Sequence, residues 1–264
     1  MSKFNEQNLY EMSKKRYKKI KKDYISIYGI NGCIEILKSR ISIIGIDILE
    51  GGKAIKTPKI MNNINSKIYK VRKLQKDQYI NLYKEWRTQG IVIHINGDFV
   101  KPLPNFENQK EPHCLLLTDG VEDPQNLGQI MRTSECAGID GMILPKNRSG
   151  AISQATLQVS QGAFIHLPLY QTGNVSQTIK ALKKQGYWIV GVENGVKAKN
   201  WYSEDLTGKI VIIVGGEGAG IRQLTQKLCD FLLTIPMGGK INSLNVSAAV
   251  SAILFERKRQ MLDN

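Results

Sequence analysis

Three stretches of the 264-residue sequence gather residue types that can do chemistry. The first, Thr118 to Ser134, places Asp119, Asn126 and Arg132 along a strand end, a polar turn and a helix start, where open α/β sheets meet their ligands. Asn126 suits either a helix cap or a ligand contact. Arg132, later in the same helix, suits a bidentate phosphate clamp or an ordinary surface salt bridge. The second stretch runs the β-branched strand Ile210–Val214 into Gly215, Gly216, Gly218 and Gly220, with Glu217 among them. Glycines there let backbone N–H groups approach a ligand closely. The spelling imitates a dinucleotide-binding loop. However, the acid wanted about 20 residues on is represented only by Asp230, ahead of the next strand, and the loop comes late in the chain. The third stretch ends a strand at Ile235 and turns through Pro236-Met237-Gly238-Gly239. It then passes Ser243, Leu244 and Asn245 into a helix whose small residues (Ser247, Ala248, Ala249, Ser251, Ala252) permit close packing.

The elements needed to position these groups alternate along the second half of the chain. Strands are expected at 114–117, 142–144, 166–169, 187–192, 210–214 and 232–235, and helices at 127–137, 154–161, 175–185, 221–228 and 247–260. That alternation predicts an α/β domain over 113–264, with a mostly parallel sheet covered by helices. Upstream, Ile41–Leu49 and Ile91–Ile95 read as strands, Ile34, Ile36 and Leu37 fall at helical spacing, and Lys67–Trp86 reads as one helix ending near Gly90. Residues 25–100 therefore form a small α/β domain, joined to the second by a linker at 101–112 that contains Pro102, Pro104 and Pro112.

Charge is distributed unevenly. Residues 1–110 hold 22 Lys/Arg against 10 Asp/Glu, whereas residues 111–264 hold 15 against 13. Residues 1–24 form a basic arm containing the run Lys14 to Lys22. A basic half beside a nearly neutral half points to a nucleic-acid-binding part joined to a catalytic part, although a general abundance of Lys accounts for some of the charge. Cys33, Cys114, Cys136 and Cys229 are scattered without a CxxC pair, and with His94, His113 and His166 they give no zinc-ligand spacing. Reduced thiols in packed positions, and no metal, are expected. No apolar run reaches membrane-spanning length, and no secretory signal is read. A cytoplasmic protein is the expectation. A mitochondrial address is less favoured, because the first segment is Lys-rich and carries Glu6 and Glu11.

Together, in this order and at this spacing, the three stretches resemble the SpoU/TrmH-type RNA ribose 2′-O-methyltransferases over about residues 114–260. Asp119–Arg132, Pro145–Ser149 and Gln161–Ala163 resemble the 23S rRNA guanosine 2′-O-methyltransferase subgroup, and Tyr28-Gly29-Ile30 resembles the opening of that subgroup's small substrate-binding domain. The His-Gln-Gly stretch that usually closes such a domain is absent, and the domain reads as abbreviated. The resemblance implies a trefoil-knotted α/β methyltransferase domain, S-adenosylmethionine as cofactor, an RNA substrate (rRNA, with tRNA as the alternative) and a homodimer. Carried onto this sequence, the cofactor pocket would take Gly191, Val192, Gly215, Gly216, Glu217, Gly218, Ile235, Met237, Ser243, Leu244 and Asn245. The reaction would be carried by Arg132 and Asn126, with Glu217 and Asn245 orienting the ribose or Arg132. Two other classes compete: a non-catalytic RNA-binding protein of the same fold, and a Rossmann-type nucleotide enzyme.

Overall fold

A computed structural model describes residues 24–97, 99–146, 152–194, 198–218 and 220–263. The basic arm expected at the start of the chain lies almost wholly outside them. The chain divides into two units, Met1–Gly97 and Asp98–Asn264.

In the first unit, β1 (Ile25–Tyr28), β2 (Ile43–Leu49), β3 (Val71–Leu74) and β4 (Ile91–Ile95) form a sheet in the order β1-β4-β2-β3. β4 runs antiparallel to both its neighbours, and β3 lies parallel to β2. Alternation puts Ile27, Ile46, Ile48, Ile91, Ile93 and Ile95 into the core, together with Cys33, Ile36 and Leu37 of α1 (Ile30–Lys38). α2 (Pro58–Asn65) packs on α1 with Ile60 and Ile64 buried, and it starts at the proline that suits a first helical turn. The helix expected over Lys67–Trp86 is instead β3 followed by α3 (Lys76–Tyr83). Pairing of Ile46–Leu49 with Val71–Leu74 overrides the local helical preference, and it sets Asp47 opposite Arg72. The Asp47 carboxylate is 1% exposed and accepts hydrogen bonds from Arg72 Nε at 2.6 Å, from Arg72 Nη2 and from the Tyr83 hydroxyl. His94 Nε2 lies 3.3 Å from the same carboxylate, and its Nδ1 lies 2.9 Å from Ser26 Oγ. Burial by itself would raise the Asp47 pKa, but the hydrogen bonds from His94, Arg72 and Tyr83 outweigh it and hold the carboxyl well below its usual range.

The second unit is an eight-stranded, wholly parallel sheet. Its strands are β5 (Val100–Pro102), β6 (His113–Asp119), β7 (Gly141–Pro145), β8 (Leu169–Thr172), β9 (Trp188–Val192), β10 (Lys199–Asn200), β11 (Lys209–Gly215) and β12 (Phe231–Thr234). Their order is β10-β12-β9-β11-β6-β7-β8-β5. Every residue of the central strands β6 and β11 is buried, as expected for strands covered on both faces. The helices are α4 (Pro124–Ala137), α5 (Gln154–Val159), α6 (Val175–Lys184), α7 (Gln223–Gln226) and α8 (Val246–Asp263). α6 closes one face of the sheet through Val175, Ile179 and Leu182. α4 packs on α8, with Thr133 Oγ1 3.2 Å from Ser251 Oγ.

Several expectations shift here. The segment read as a linker contributes the edge strand β5, paired with β8, and Phe106 in the core. Prolines are tolerated there because an edge strand need not donate on both sides. Before β8 the chain makes a 3₁₀ turn (Ala163–Ile165), so the strand begins at Leu169 instead of His166. α7 is a single turn, shorter than the helix expected over 221–228. Cys33 and Cys114 are buried as expected, with burial pushing the Cys114 thiol up to about 12, whereas Cys136 is exposed on α4. Among the described residues no helix is long and apolar enough to cross a membrane.

Candidate active site

The chain reverses direction across the sheet around β6 and β11. β7 and β8 extend one way, and α6 then carries the chain back to β9 on the far side of β11. Crevices outside the carboxyl ends of strands at such a point are the usual ligand sites of open sheets. All three chemical stretches converge there.

From β6, Asp119 leads into α4. Asp123 caps that helix, accepting from the amides of Gln125 at 2.5 Å and Asn126 at 3.3 Å. Asn126, read as a possible cap, is thereby released for another role. It is 5% exposed, and its Nδ2 donates to Glu217 Oε1 at 2.6 Å. Asn245 Nδ2 donates to Asn126 Oδ1 at 2.8 Å and lies 3.3 Å from Glu217 Oε1. Asn245 Oδ1 in turn accepts from the backbone N–H of Ser247 at 2.8 Å. The polarity is self-consistent: each amide nitrogen donates, each amide oxygen accepts, and the Glu217 carboxylate receives.

The glycine loop after β11 is held tightly. A Cβ on Gly216 would stand 2.0 Å from the carbonyl oxygen of Gly120, so only glycine lets the ends of β6 and β11 approach this closely. Gly220 N donates to Gly216 O at 3.2 Å. Glu193, just beyond β9, accepts on Oε2 from the Ile221 amide at 2.9 Å and from Gln226 Nε2 at 3.2 Å. Asn194 Nδ2 reaches across to the Asn242 carbonyl at 2.8 Å. The segment after β12 thus spans the ends of β9, β11 and α4 before entering α8.

These pieces enclose a cleft of about 530 Å³. Of the expected pocket residues, Val192, Gly215, Gly216, Glu217 and Gly218 line it from the strand ends, and Ile235, Met237, Ser243, Leu244 and Asn245 line it from the crossing segment. Gly191 does not line it. Its Cα faces Leu232 and Cys229, where a Cβ would stand 2.6 Å from Leu232 Cδ2, so its requirement for glycine comes from packing. Arg132 stands apart as well, on the exposed stripe of α4 with Gln125, Gln129 and Cys136. Among the described residues it makes no hydrogen bond to Asn126, Glu217 or Asn245. Glu193, Asn194, Val214 and Asn242 line the cleft without having been anticipated. The signal for Glu193 was an acid immediately after a buried strand, lying before the glycine loop in sequence instead of after it.

The donor set discriminates between ligands. Two glutamates and no lysine or arginine line the cleft among the described residues, with apolar Val192, Val214, Ile235, Met237 and Leu244. Such walls suit an adenine ring and a sulfonium cation, and they offer no cation for the pyrophosphate of a dinucleotide. The residues present therefore fit S-adenosylmethionine.

Comparison with known proteins agrees with this chemistry. Residues 113–255 match the model of the SpoU rRNA Methylase family. A relative from Staphylococcus haemolyticus, described as a TrmH family tRNA/rRNA methyltransferase, is 34% identical over 91% of this chain and 98% of its own. The 23S rRNA (guanosine-2′-O-)-methyltransferase RlmB of Coxiella burnetii is 36% identical over 89% of this chain and 95% of its own. Among solved structures, the SpoU methyltransferase AviRb of Streptomyces viridochromogenes in complex with AdoMet shares the fold. Its TM-score is 0.78 at 18% identity, covering 94% of this chain and 95% of that one. An AdoMet-bound rRNA methyltransferase from Sinorhizobium meliloti has a TM-score of 0.74 at 21% identity, covering 94% and 91%. The trefoil knot implied by the resemblance is a feature of this family. The chain belongs to the SpoU rRNA methylase family, and it is an RNA methyltransferase of the kind that draws its methyl group from S-adenosylmethionine.

Proposed function

We propose that this protein methylates the ribose 2′-hydroxyl of a guanosine in large-subunit rRNA. One observation carries the reading: among the described residues, a cleft bearing carboxylates and no cationic side chain adjoins the Asn126–Glu217–Asn245 cluster. The relatives named as 23S rRNA guanosine methyltransferases support the substrate. The basic excess of the first 110 residues supports a role for that part in holding RNA.

Bound in the cleft, S-adenosylmethionine supplies a methyl group on a sulfonium that an oxygen nucleophile can take in line. The chain's residues must present and activate that nucleophile. Gly215, Gly216 and Gly218 offer backbone groups to the adenosine, and Glu193 and Glu217 favour a nearby positive charge. Glu217 and Asn245 orient the acceptor ribose, and Asn126 fixes both of them. Arg132 holds the adjacent phosphate and stabilises the developing alkoxide. An arginine is effectively always protonated, which makes this role physically sounder than proton abstraction.

The family resemblance implies a homodimer, and Arg132 stands on an exposed face of α4 that a second copy could reach. Ala248 and Phe255, exposed on α8, suit a contact surface. Sedimentation showing only monomer at micromolar concentration would overturn that assembly. The cytoplasm is the compartment that fits bacterial relatives acting on rRNA.

The deciding experiment maps 2′-O-methyl positions in total RNA from cells with and without the gene. Loss of one guanosine mark in large-subunit rRNA is expected. A tRNA mark lost with rRNA unchanged would favour the second reading, which rests on the relative described as a tRNA/rRNA methyltransferase.

A further inference from the structure

A second cleft, of about 520 Å³, opens at the carboxyl ends of β7 and β8, on the other side of the glycine loop from the cofactor cleft. Its walls include Pro145, Val175, Ser176, Leu224 and Arg222. Arg222 follows the loop by two residues, and its guanidinium is ion-paired through Nη2 with the buried Asp119 at the end of β6. The Arg222 backbone N–H also points to that carboxylate, at 3.4 Å. The arginine is thus fixed in place, yet its side chain keeps 44% of its exposure. One ion pair occupies only part of a five-donor guanidinium.

The start of α6 adds to the same field. Asn174 Oδ1 accepts from the Gln177 amide at 3.1 Å. Helix geometry leaves the amides of Val175 and Ser176 without an intrahelical acceptor. Leu224 is 63% exposed, an apolar side chain in water at the cleft wall.

The two clefts are opposite in character. The first is lined by two carboxylates and no cation, and the second by an arginine and no carboxylate, among the described residues. The first suits a cation, and the second suits an anion attached to a flat apolar group.

We propose that the second cleft binds a phosphate and base of the RNA strand, in a nucleotide flanking the one that is methylated. Arg222 and the start of α6 take the phosphate, and Pro145, Val175 and Leu224 take the base face. The proposal rests on the rRNA substrate proposed above.

The test uses the full chain and a 23S rRNA transcript with three variants: Arg222→Gln, Leu224→Glu and Ser176→Glu. Each is expected to raise the Kd for the transcript about tenfold at 0.15 M salt, with S-adenosylmethionine affinity within about twofold of wild type. Arg222→Gln should also reduce the slope of log Kd against log salt by about 0.7, the signature of one lost single-strand phosphate contact. A purely structural role for the Asp119 ion pair would not move that slope. Leu224 is exposed, so Leu224→Glu keeps the test valid if Arg222→Gln fails to fold.

Wild-type RNA affinity and salt slope in the Arg222 and Leu224 variants would overturn the proposal. So would unchanged RNA binding combined with loss of inorganic phosphate binding, which would identify a free-anion site. If the wild-type chain shows the Arg222-dependent slope but transfers no methyl group to the 23S rRNA transcript, the cleft stands and the proposed large-subunit rRNA substrate falls. If all variants methylate the transcript with an unchanged KM, the proposed rRNA substrate stands and the cleft falls.

Discussion

Asn245 Nδ2 donates to Asn126 Oδ1 at 2.8 Å, joining the entrance of the last helix to the first turn of α4. This bond also orients the Asn126 amide, so that its nitrogen faces Glu217. Asn126→Asp would replace that donor with a carboxylate facing another carboxylate. Turnover should fall by about 100-fold or more, by analogy with the loss of one preorganised polar group from an active site. Single-turnover methyl transfer to the 23S rRNA transcript checks this, and a rate within threefold of wild type would remove Asn126 from the site.

Arg132→Ala should lower turnover by orders of magnitude while leaving S-adenosylmethionine affinity nearly intact, because the side chain does not line the cleft. Calorimetric titration of the cofactor beside a methyl-transfer assay separates the two quantities. Activity like that of the wild type would exclude Arg132 from the reaction.

Gly216→Ala forces a Cβ against the carbonyl oxygen of Gly120 at 2.0 Å, a backbone contact that cannot yield by rotating a side chain. The ends of β6 and β11 must then separate. A stability loss on the order of 2–3 kcal/mol is expected, together with loss of cofactor binding. Thermal unfolding with and without S-adenosylmethionine checks both. A ligand-induced rise in Tm equal to that of the wild type would contradict the close packing described.

The buried Asp47 carboxylate in the first unit makes stability depend on pH. Its pKa in the folded chain is held below the usual carboxyl range by His94, Arg72 and Tyr83, although burial opposes them. The stabilisation is therefore fully present above the unfolded value of about 4 and is lost as pH falls through the folded value. Asp47→Asn should destabilise this unit by about 3 kcal/mol at pH 7 and flatten the acid side of its stability profile. Urea unfolding at a series of pH values, followed through Trp86 in a chain whose Trp188 and Trp201 are replaced by Phe, reads both effects. Parallel profiles for variant and wild type would show that Asp47 contributes no pH dependence.

What could be read from the sequence follows from what each residue answers to. The roles of Asn126, Glu217 and Asn245 were legible only through the family resemblance, because nothing local to any one of them names its partners; the structure brings the three together. The alternation of strands and helices over 113–264 was readable because buried parallel strands are almost continuously apolar. Local pattern failed where a distant partner decided the conformation. Val71–Leu74 becomes a strand by pairing with Ile46–Leu49, and the prolines near residue 102 conceal an edge strand whose partner is β8. The resemblance carries both Gly191 and Val192 into the pocket, but successive strand residues point to opposite faces and only Val192 lines the cleft. Glu193 escaped notice because its partners, the Ile221 amide and Gln226, come about 30 residues later.

The crossing segment at 235–245 has a consequence for the order in which the molecule becomes competent. Residues of α4 and β9 are synthesised before this segment, but the cleft has no outer wall until Asn242 meets Asn194 and Asn245 meets Asn126. A chain growing from its N-terminus can therefore build most of the parallel sheet and still be unable to hold a methyl donor. A copy that lacks the segment at 235–245 therefore lacks Ile235, Met237, Ser243, Leu244 and Asn245 from the wall of its cleft.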